Sequence, residues 1–348
     1  MPEKNEKPLV VPTDQDFYLA QVDMFRSFLT NSDAQKIPLS NTIGLWDSLP
    51  KYSISQVEQN KIRTQEGLLP LLRRDVKFMD SEYTIFISPA LLADENGRAY
   101  YPSANESLVE DALRKIATLQ NQCFLSESES HCGVVFTLHQ LRVELKNQGH
   151  TRSYQEVVKS LQILAGADIE IRTKTRKGIS IEKFMSLSGF SQEGEVDNPG
   201  SKWIAYFHPL IYKAMQAIDY RQFNYQLMMG FKTQIARWLY KRLAHYYTNA
   251  GMDSPITLSL ATIQDESGML VRARMNDAVR EFEGVLQELK KKNVFVSFSR
   301  VNEIRGAKNK ILDIVYRAYP HPEFIKSVKA ANKRQSDDKS SLPKVDPK

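Results

Sequence analysis

The sequence of 348 residues is poor in cysteine and histidine, and it contains no long hydrophobic run. Its two cysteines, Cys123 and Cys132, are too few for a disulfide framework, and no apolar stretch resembles a signal peptide or a membrane span. The six histidines are scattered, and His131 beside Cys132 lacks the spacing of a metal site. We therefore expect a cytoplasmic protein with no membrane partner and no metal or other cofactor.

Sequence motifs of common enzymes are also missing. The chain has no phosphate-binding G-x-x-x-x-G-K-[ST] loop and no G-x-S-x-G nucleophile motif. One short match remains, because His139-Gln140-Leu141-Arg142 resembles the H-x-L-R signature of tyrosine recombinases. Tyr154 follows too soon for that family's nucleophile, and no upstream arginine box precedes it. We expect no enzymatic activity, with a recombinase-like enzyme as a lesser alternative.

The charge of the chain is modestly positive and unevenly distributed. There are 47 lysines and arginines against 41 acidic residues, which gives a net charge of +6 and a pI near 9.0. The basic excess lies in two predicted hairpins and in the C-terminal segment. Clustered basic residues are typical of nucleic-acid binding, and 42% apolar residues are enough to build two domains.

Residues 133–183 have the pattern of a winged helix-turn-helix. Thr137 can cap a first helix that places Leu141 and Leu145 on one face, and Gly149 ends that helix. A second helix opens at Thr151 or Ser153, and a hairpin of alternating isoleucines follows. The candidate DNA contacts of this module are Thr151, Arg152, Ser153, Tyr154, Gln155 and Lys159 on the helix, and Arg172, Lys174, Arg176 and Lys177 on the hairpin.

The same order of elements recurs near residues 256–317. A short strand and helix precede a long amphipathic helix and a second basic hairpin. Any one of these charges, taken alone, is as readily explained as a solvated surface group, so the repetition carries the prediction. The candidate contacts are Arg272, Arg274, Asn276 and Arg280 on the helix, and Arg300, Arg305, Lys308 and Lys310 on the hairpin.

The sequence thus predicts a helix-rich α+β protein with two tandem winged helix-turn-helix domains. Within the second domain, a helix from Phe231 is expected to bury one apolar side and to expose a basic side that includes Arg237 and Lys241. The predicted divisions are a partly disordered N-terminal arm at 1–60, a first domain at 61–190, a polar linker at 191–201, a second domain at 202–320 and a disordered basic tail at 321–348.

A short segment in the arm suggests a protein partner. Gln21, Met24 and Phe25 resemble the peptide by which bacterial replication proteins hold the sliding clamp, with one amide and two apolar anchors. The alternative is an amphipathic helix that packs Phe17, Val22, Phe25 and Leu29 onto the body of the protein.

Longer segments resemble plasmid replication initiators of the Rep type. They include LWDSLPKY at 45–52 and the segments at 99–116, 134–165 and 207–245. The resemblance implies a non-enzymatic protein with tandem winged helices that binds direct repeats, called iterons, in the double-stranded DNA of a plasmid origin. It also implies opening of the origin, contacts with the host replicative helicase, its loader, the sliding clamp and the host initiator, and location at the bacterial nucleoid.

The same resemblance implies a homodimer that represses the protein's own gene and controls plasmid copy number. The main alternative is a plasmid- or phage-encoded transcriptional repressor that binds DNA but does not initiate replication.

Overall fold

A computed structural model of the chain describes residues 38–78, 81–119, 123–126, 131–173, 178–190, 199–200 and 202–340. The helices are α1 Gly44–Ser48, α2 Gln56–Ile62, α3 Ala104–Leu119, α4 Leu138–Asn147, α5 Tyr154–Gly166, α6 Pro209–Gln216, α7 Tyr225–Met229, α8 Gln234–Tyr246, α9 Leu260–Ser267, α10 Met275–Lys291 and α11 Pro322–Ser340. The strands are β1 Leu39–Ile43, β2 Leu72–Phe78, β3 Ser81–Ser88, β4 Ala90–Leu92, β5 Arg98–Tyr100, β6 Cys123–Ser126, β7 His131–Thr137, β8 Asp168–Thr173, β9 Gly178–Lys183, β10 Met185–Phe190, β11 Lys202–Phe207, β12 Tyr220–Asn224, β13 Ile256–Ser259, β14 Phe295–Arg305 and β15 Ile311–Pro320.

Helices α4 and α5 and the hairpin β8–β9 form the first winged helix-turn-helix where the sequence predicts it. Thr137 and Ser153 cap the two helices, since each side chain accepts a hydrogen bond from a first-turn amide that has no partner within its helix. Gly149 has a φ of +84°, a conformation that favours glycine, and it ends α4 as expected. Leu141 of α4 and Leu161 of α5 are fully buried, so the apolar faces are also confirmed.

The first wing is part of a larger antiparallel sheet with the strand order β2-β3-β8-β9. Strand β8 pairs with β3 on one edge and with β9 on the other. Ile85 lies opposite Ile171, and Ile87 lies opposite Ile169, and all four side chains are buried. Strand β8 of the wing is therefore fixed by backbone hydrogen bonds to a strand on each side, and its isoleucines pack into the core.

The second winged helix-turn-helix consists of α9, α10 and the hairpin β14–β15, which β13 extends into a three-stranded sheet. Helix α10 buries Phe282, Leu286 and Leu289, as its periodicity predicts. Asp313 of β15 accepts hydrogen bonds from Ser259 Oγ (2.7 Å) and from the amide of Ala261 (2.9 Å), which joins the wing to the start of α9. The predicted fold class of two tandem winged helices in an α+β chain is confirmed.

The predicted linker at 191–201 is wrong as a domain boundary. The strands on either side of it, β10 and β11, pair with each other in register from Met185 opposite Phe207 to Phe190 opposite Lys202. Strand β11 also pairs with β7, in a sheet ordered β10-β11-β7-β6. The sequence KWIAYF therefore belongs to the first half of the molecule, because polar loop composition does not distinguish a hairpin connection from a linker.

The predicted N-terminal arm is integrated into the core from residue 38 onward. Strand β1 pairs with β12, from Leu39 opposite Asn224 to Ile43 opposite Tyr220, and Trp46 of α1 is fully buried. This placement corrects the prediction for that part of 1–60, since a strand that pairs across so long a sequence separation leaves no local periodic pattern. Residues 1–37, which include the clamp-binding candidates Gln21, Met24 and Phe25, lie outside the described residues.

The predicted disordered tail is also corrected, because residues 322–340 form helix α11. Phe324, Ile325 and Val328 are buried on one face of this helix. Gln335 donates to the carbonyl of Tyr220 (2.9 Å), and Asn332 accepts from Arg221, so the helix is attached to β12 by polar contacts as well. The many lysines of this segment are typical of a disordered tail, but its apolar residues recur at helical spacing and form a stripe that can be buried. Among the helices of the described residues, none combines the length and apolarity needed to cross a membrane.

A buried ionic cluster joins α1, α3 and α8. It contains three carboxylates and three cations, and all six side chains are at least nine-tenths buried: Asp47, Lys51, Glu110, Asp111, Arg114 and Lys241. Arg114 donates to Asp47 (2.7 and 3.0 Å) and to Asp111 (2.9 Å), while Lys241 bridges the same two carboxylates at 3.1 to 3.3 Å. Lys241 and the buried Arg237 correct the prediction of a solvated basic face on α8.

The cluster is electrostatically self-compensating. Burial alone would raise the pKa of Asp47, but the charges of Arg114, Lys241 and Lys51 outweigh it and hold that pKa well below its usual value. Burial would lower the pKa of Lys241, yet Asp111 and Asp47 raise it above its ordinary value. Asp47 and Lys241 are therefore both charged at neutral pH, and removal of either one leaves an uncompensated buried charge.

Replacement of Lys241 by methionine should destabilise the fold by about 3–5 kcal/mol, because Asp47 and Asp111 lose a shared cation in a site that excludes water. The matched control is Arg242→Met on the same helix. Arg242 pairs with Glu266 where both side chains are 22% exposed to water, so its loss should cost about 1 kcal/mol, well below that of Lys241. Urea unfolding measures both values. Equal losses in the two variants would show that the cluster is not a special source of stability.

His208 should make the fold sensitive to mild acid. It stacks on Trp46 with ring centroids 4.3 Å apart, and its Nδ1 accepts from the amide of Leu210. Burial lowers the pKa of His208 to about 3, so between that value and the unfolded value near 6.5 the unfolded chain binds one more proton. Stability from this group is thus present above pH 6.5 and is lost as the pH falls.

The His208→Asn variant keeps a capping acceptor but removes this titration. Between pH 7 and pH 5 the unfolding free energy of the wild type should fall by about 2 kcal/mol more than that of the variant. Urea titrations at several pH values measure the difference. Parallel curves for the two proteins would contradict the assignment.

Candidate nucleic-acid interface

The start of α5 presents polar side chains to solvent beside the helix-turn-helix turn. Thr151 and Gln155 are exposed, and neither has an apolar packing role. Ser153 is less available, because its Oγ accepts from the amide of Glu156 while Glu156 accepts from the amide of Ser153 at 2.8 Å. Of the predicted contacts at this end, Thr151 and Gln155 therefore remain free to meet a ligand, and Ser153 shapes the helix start.

Arg152 and Tyr154 are both held by neighbouring groups of the protein. Arg152 donates to Asn105 Oδ1 and to the carbonyl of Thr151, each at 2.9 Å. The Arg142 guanidinium lies 4.6 Å from the centre of the Tyr154 ring and donates to the carbonyl of Arg152 at 2.8 Å. These contacts tie the start of α5 to α3 and α4, and both side chains are half-buried beside the turn.

The recombinase-like residues His139, Arg142 and Tyr154 do come together. His139 Nδ1 and the Tyr154 hydroxyl share a hydrogen bond of 3.2 Å. Arg142, however, lies against the face of the tyrosine ring, and its Nε is used by a backbone carbonyl. In this arrangement the arginine contacts the ring of Tyr154 rather than its hydroxyl.

The basic residues farther along the first module are paired within the protein. Lys159 forms an ion pair of 2.6 Å with Glu95 and lies 4.3 Å from the centre of the Tyr100 ring. Arg172 pairs with Glu170, and its guanidinium lies 4.6 Å from the centre of the Phe86 ring. Lys174, Arg176 and Lys177 lie outside the described residues. The predicted DNA contacts of all five stay predictions.

The second module exposes a row of polar side chains where α10 begins. Arg274 and Asn276 are exposed, and Arg280 follows one turn later with a weak ion pair of 3.4 Å to Asp277. Arg272, just before the helix, makes two hydrogen bonds to Glu281, from Nε at 2.8 Å and from the guanidinium at 3.0 Å. This end of α10 therefore has the cations and amides that read base edges and phosphates.

The wing of the second module carries the remaining candidates. Arg300 of β14 donates to Glu283 of α10 at 2.7 Å, and the buried Tyr316 donates to the same carboxylate at 3.1 Å. Arg305 pairs with Glu303 and donates to the carbonyl of Asn309. Lys308 and Lys310 are exposed at the tip, so the hairpin ends in positive charge.

Acidic residues beside the basic ones are the feature that sequence reasoning missed. Glu281 and Glu283 of α10 hold Arg272 and Arg300, and the hydrogen bond from Arg300 lowers the pKa of Glu283. These partners are 9 and 17 residues apart, which lies outside the i,i+4 spacing used to find pairs on a helix. Only the fold brings them together. In the protein alone, each of these two arginines is therefore paired with a carboxylate of α10.

The two helix-turn-helix units are connected through the turn between α7 and α8. His150, in the first unit, donates from Nε2 to the carbonyl of Met229 at 2.9 Å. Glu288 of α10 accepts from the amide of Lys232 (2.5 Å) and from the hydroxyl of Thr233 (3.4 Å). Burial lowers the pKa of His150, so the imidazole is neutral at pH 7. Both units are thus fixed to one short segment.

No family model and no curated protein matches the sequence. Among solved structures, the chain is similar to two crystal structures of domains 2 and 3 of RctB. The first has 10% sequence identity and a TM-score of 0.48, and the match covers 79% of this chain and 97% of the RctB chain. The second has 11% sequence identity and a TM-score of 0.47, and the match covers 81% of this chain and 99% of the RctB chain. The chain is also similar to the Pi initiator protein in complex with iteron DNA, with 10% identity and a TM-score of 0.43 over 63% of this chain and 94% of that chain.

Proposed function

We propose that this protein is a sequence-specific double-stranded DNA-binding protein that initiates replication. The observation that carries the proposal is the pair of winged helix-turn-helix units on one continuous core, each with exposed polar side chains at the start of its second helix. Because the units are fixed to each other, they would contact successive major grooves of one duplex, about one helical turn apart. A long, asymmetric site read by a single chain fits a direct repeat.

The two ends of each unit would have different tasks. Thr151 and Gln155 in the first unit, and Arg274, Asn276 and Arg280 in the second, have the side chains that reach base edges. The wings would hold the sugar-phosphate backbone, with Lys308 and Lys310 as exposed cations at the second tip. Phosphate contacts release counterions, so binding should weaken steeply as salt rises.

The step from DNA binding to initiation rests on the Rep-type resemblance of the segments at 45–52, 99–116, 134–165 and 207–245. On that basis the target is a set of iterons in a plasmid origin, and the bound protein opens the origin and recruits the host helicase and its loader. Contacts of Gln21, Met24 and Phe25 with the sliding clamp, contacts with the host initiator, a repressing homodimer that controls copy number, and a cytoplasmic, nucleoid-associated location belong to the same proposal.

The experiment that tests the proposal has two parts. Footprinting of the protein on the DNA that flanks its own gene should protect a series of direct repeats. A small plasmid that carries the gene and this flanking DNA should then replicate in a host that cannot otherwise maintain it. Protected repeats without recovered plasmids would favour the transcriptional repressor, and the absence of any sequence-specific protection would contradict both functions.

A non-enzymatic mechanism is part of the proposal, and the recombinase alternative has its own test. A tyrosine recombinase would leave a covalent adduct between protein and DNA through Tyr154. We expect no adduct with the wild type. An adduct that forms with the wild type and disappears in Tyr154→Phe would contradict the non-enzymatic initiator and support a recombinase.

Removal of a base-reading arginine should reduce specific binding. Arg274→Ala should weaken binding to the protected repeat by roughly 1–3 kcal/mol and relax the preference over random duplex. Arg152→Ala should do the same if the Arg152 guanidinium exchanges its bond with Asn105 for a base on binding. Lys329→Ala on the exposed side of α11 is the control and should change little. Competition binding at fixed salt measures all three. If discrimination between repeat and random DNA is unchanged, the arginine concerned does not read bases.

Neutralising Glu281 should strengthen binding to random DNA. In Glu281→Gln, Arg272 loses its intramolecular partner and becomes available to any phosphate, so random-sequence affinity should rise by about 0.5–1 kcal/mol and the salt dependence should become steeper. Glu266→Gln makes the same change in net charge and breaks the pair with Arg242, which lies outside the row on α10. An equal gain in both variants would indicate a general charge effect and contradict a specific role for Glu281.

A further inference from the structure

Helix α10 has a solvent-facing row opposite its buried face. Asn276, Arg280, Gly284 and Gln287 follow one another at intervals of three or four residues, and all four are exposed. The buried side of the same helix carries only apolar residues, among them Phe282 and Leu286. Three members of the exposed row are polar or cationic, and the fourth has no side chain at all.

Neither packing nor backbone conformation within the protein requires a glycine at position 284. Glycine in the middle of a helix costs about 0.5–1 kcal/mol relative to alanine. A Cβ added to Gly284 would meet no heavy atom within 4 Å, and its backbone is not in the left-handed region. Gly166 of α5 differs, because a Cβ there would lie 2.9 Å from the Cβ of Ala90. At Gly166 the protein itself fills the space, and at Gly284 the space is open.

The surroundings of this opening are those of a nucleic-acid contact. Arg280 lies one turn before Gly284 in the exposed row, and Gln287 lies one turn after it. Glu283, the preceding residue, holds Arg300 of the wing at 2.7 Å, so a third polar group from another element is tied to this part of α10. Guanidinium and amide groups form hydrogen bonds with phosphates and base edges, whereas an apolar protein partner would leave these groups without hydrogen-bond partners.

We propose that Gly284 is the point of closest approach between α10 and duplex DNA, and that its missing side chain sets how deeply the helix enters the major groove. The inference rests on the proposed function, since it assumes that α10 is a reading helix. It adds a residue that determines specificity by leaving space for the DNA, in addition to the arginines that form contacts.

The test separates stability from binding. Gly284→Ala and Gly284→Leu both improve helix propensity in open space, so the melting temperature should stay the same or rise by about 1–3 °C. Affinity for a duplex that the wild-type chain selects from a randomised library should fall about tenfold with alanine and about a hundredfold with leucine, because each added atom blocks close approach. Affinity for random duplex should fall much less, since nonspecific binding relies on phosphates at longer range.

The control is Ser336→Leu, which adds the same side chain at an exposed uncharged position of α11 and should leave DNA affinity unchanged. If the wild type selects no sequence, the proposed function fails and this inference fails with it. If the wild type selects a sequence and the Gly284 variants bind it equally well, the inference alone is wrong. A fall in melting temperature for Gly284→Ala would also overturn it, because the glycine would then have a structural role.

Discussion

The structure depends on a buried, charge-balanced cluster in which Arg114 and Lys241 bridge Asp47 and Asp111. The cluster connects α1 from the N-terminal segment, α3 beneath the first helix-turn-helix and α8 beneath the second. Charges in such a site are favourable only while every partner is present, so the three elements must be placed together. The relative position of the two helix-turn-helix units follows from this requirement. His150 and Glu288 add further contacts, since both form hydrogen bonds with the chain between the end of α7 and the start of α8.

The candidate DNA surface has a different electrostatic design. Its arginines are paired with carboxylates that remain half-exposed, as in the pairs of Arg272 with Glu281 and of Arg300 with Glu283. Pairs of this kind contribute little to stability in water, so they can exchange for phosphates at small cost. The core thus uses enclosed ion pairs to fix geometry, and the candidate DNA surface carries weaker, solvent-exposed pairs.

Most of the differences between the predicted and the observed structure arise from pairing between groups that are distant in the sequence. The sequence predicts a solvated face for Arg237 and Lys241 because lysine and arginine are rarely buried. In the structure Lys241 pairs with Asp47 and Asp111, which are distant in the sequence, and Arg237 donates to the carbonyl of Phe231. Strand β1 pairs with β12, and β11 pairs with β7, across separations that leave no local pattern in the sequence. Helix α11 has a different reason, because its high lysine content is typical of a tail, whereas Phe324, Ile325 and Val328 form a buried apolar stripe.

The sequence by itself determined the two winged helix-turn-helix units, including the caps at Thr137 and Ser153, the turn at Gly149 and the apolar face of α10. Those features are local, since capping, left-handed turns and helical periodicity act within a few residues of the chain. The tertiary structure alone decided that the units share one core, that Glu281 and Glu283 hold Arg272 and Arg300 of the candidate DNA surface, and that Gly284 faces open space. These features depend on groups distant in sequence, and only packing of the whole chain brings such groups within a few ångströms.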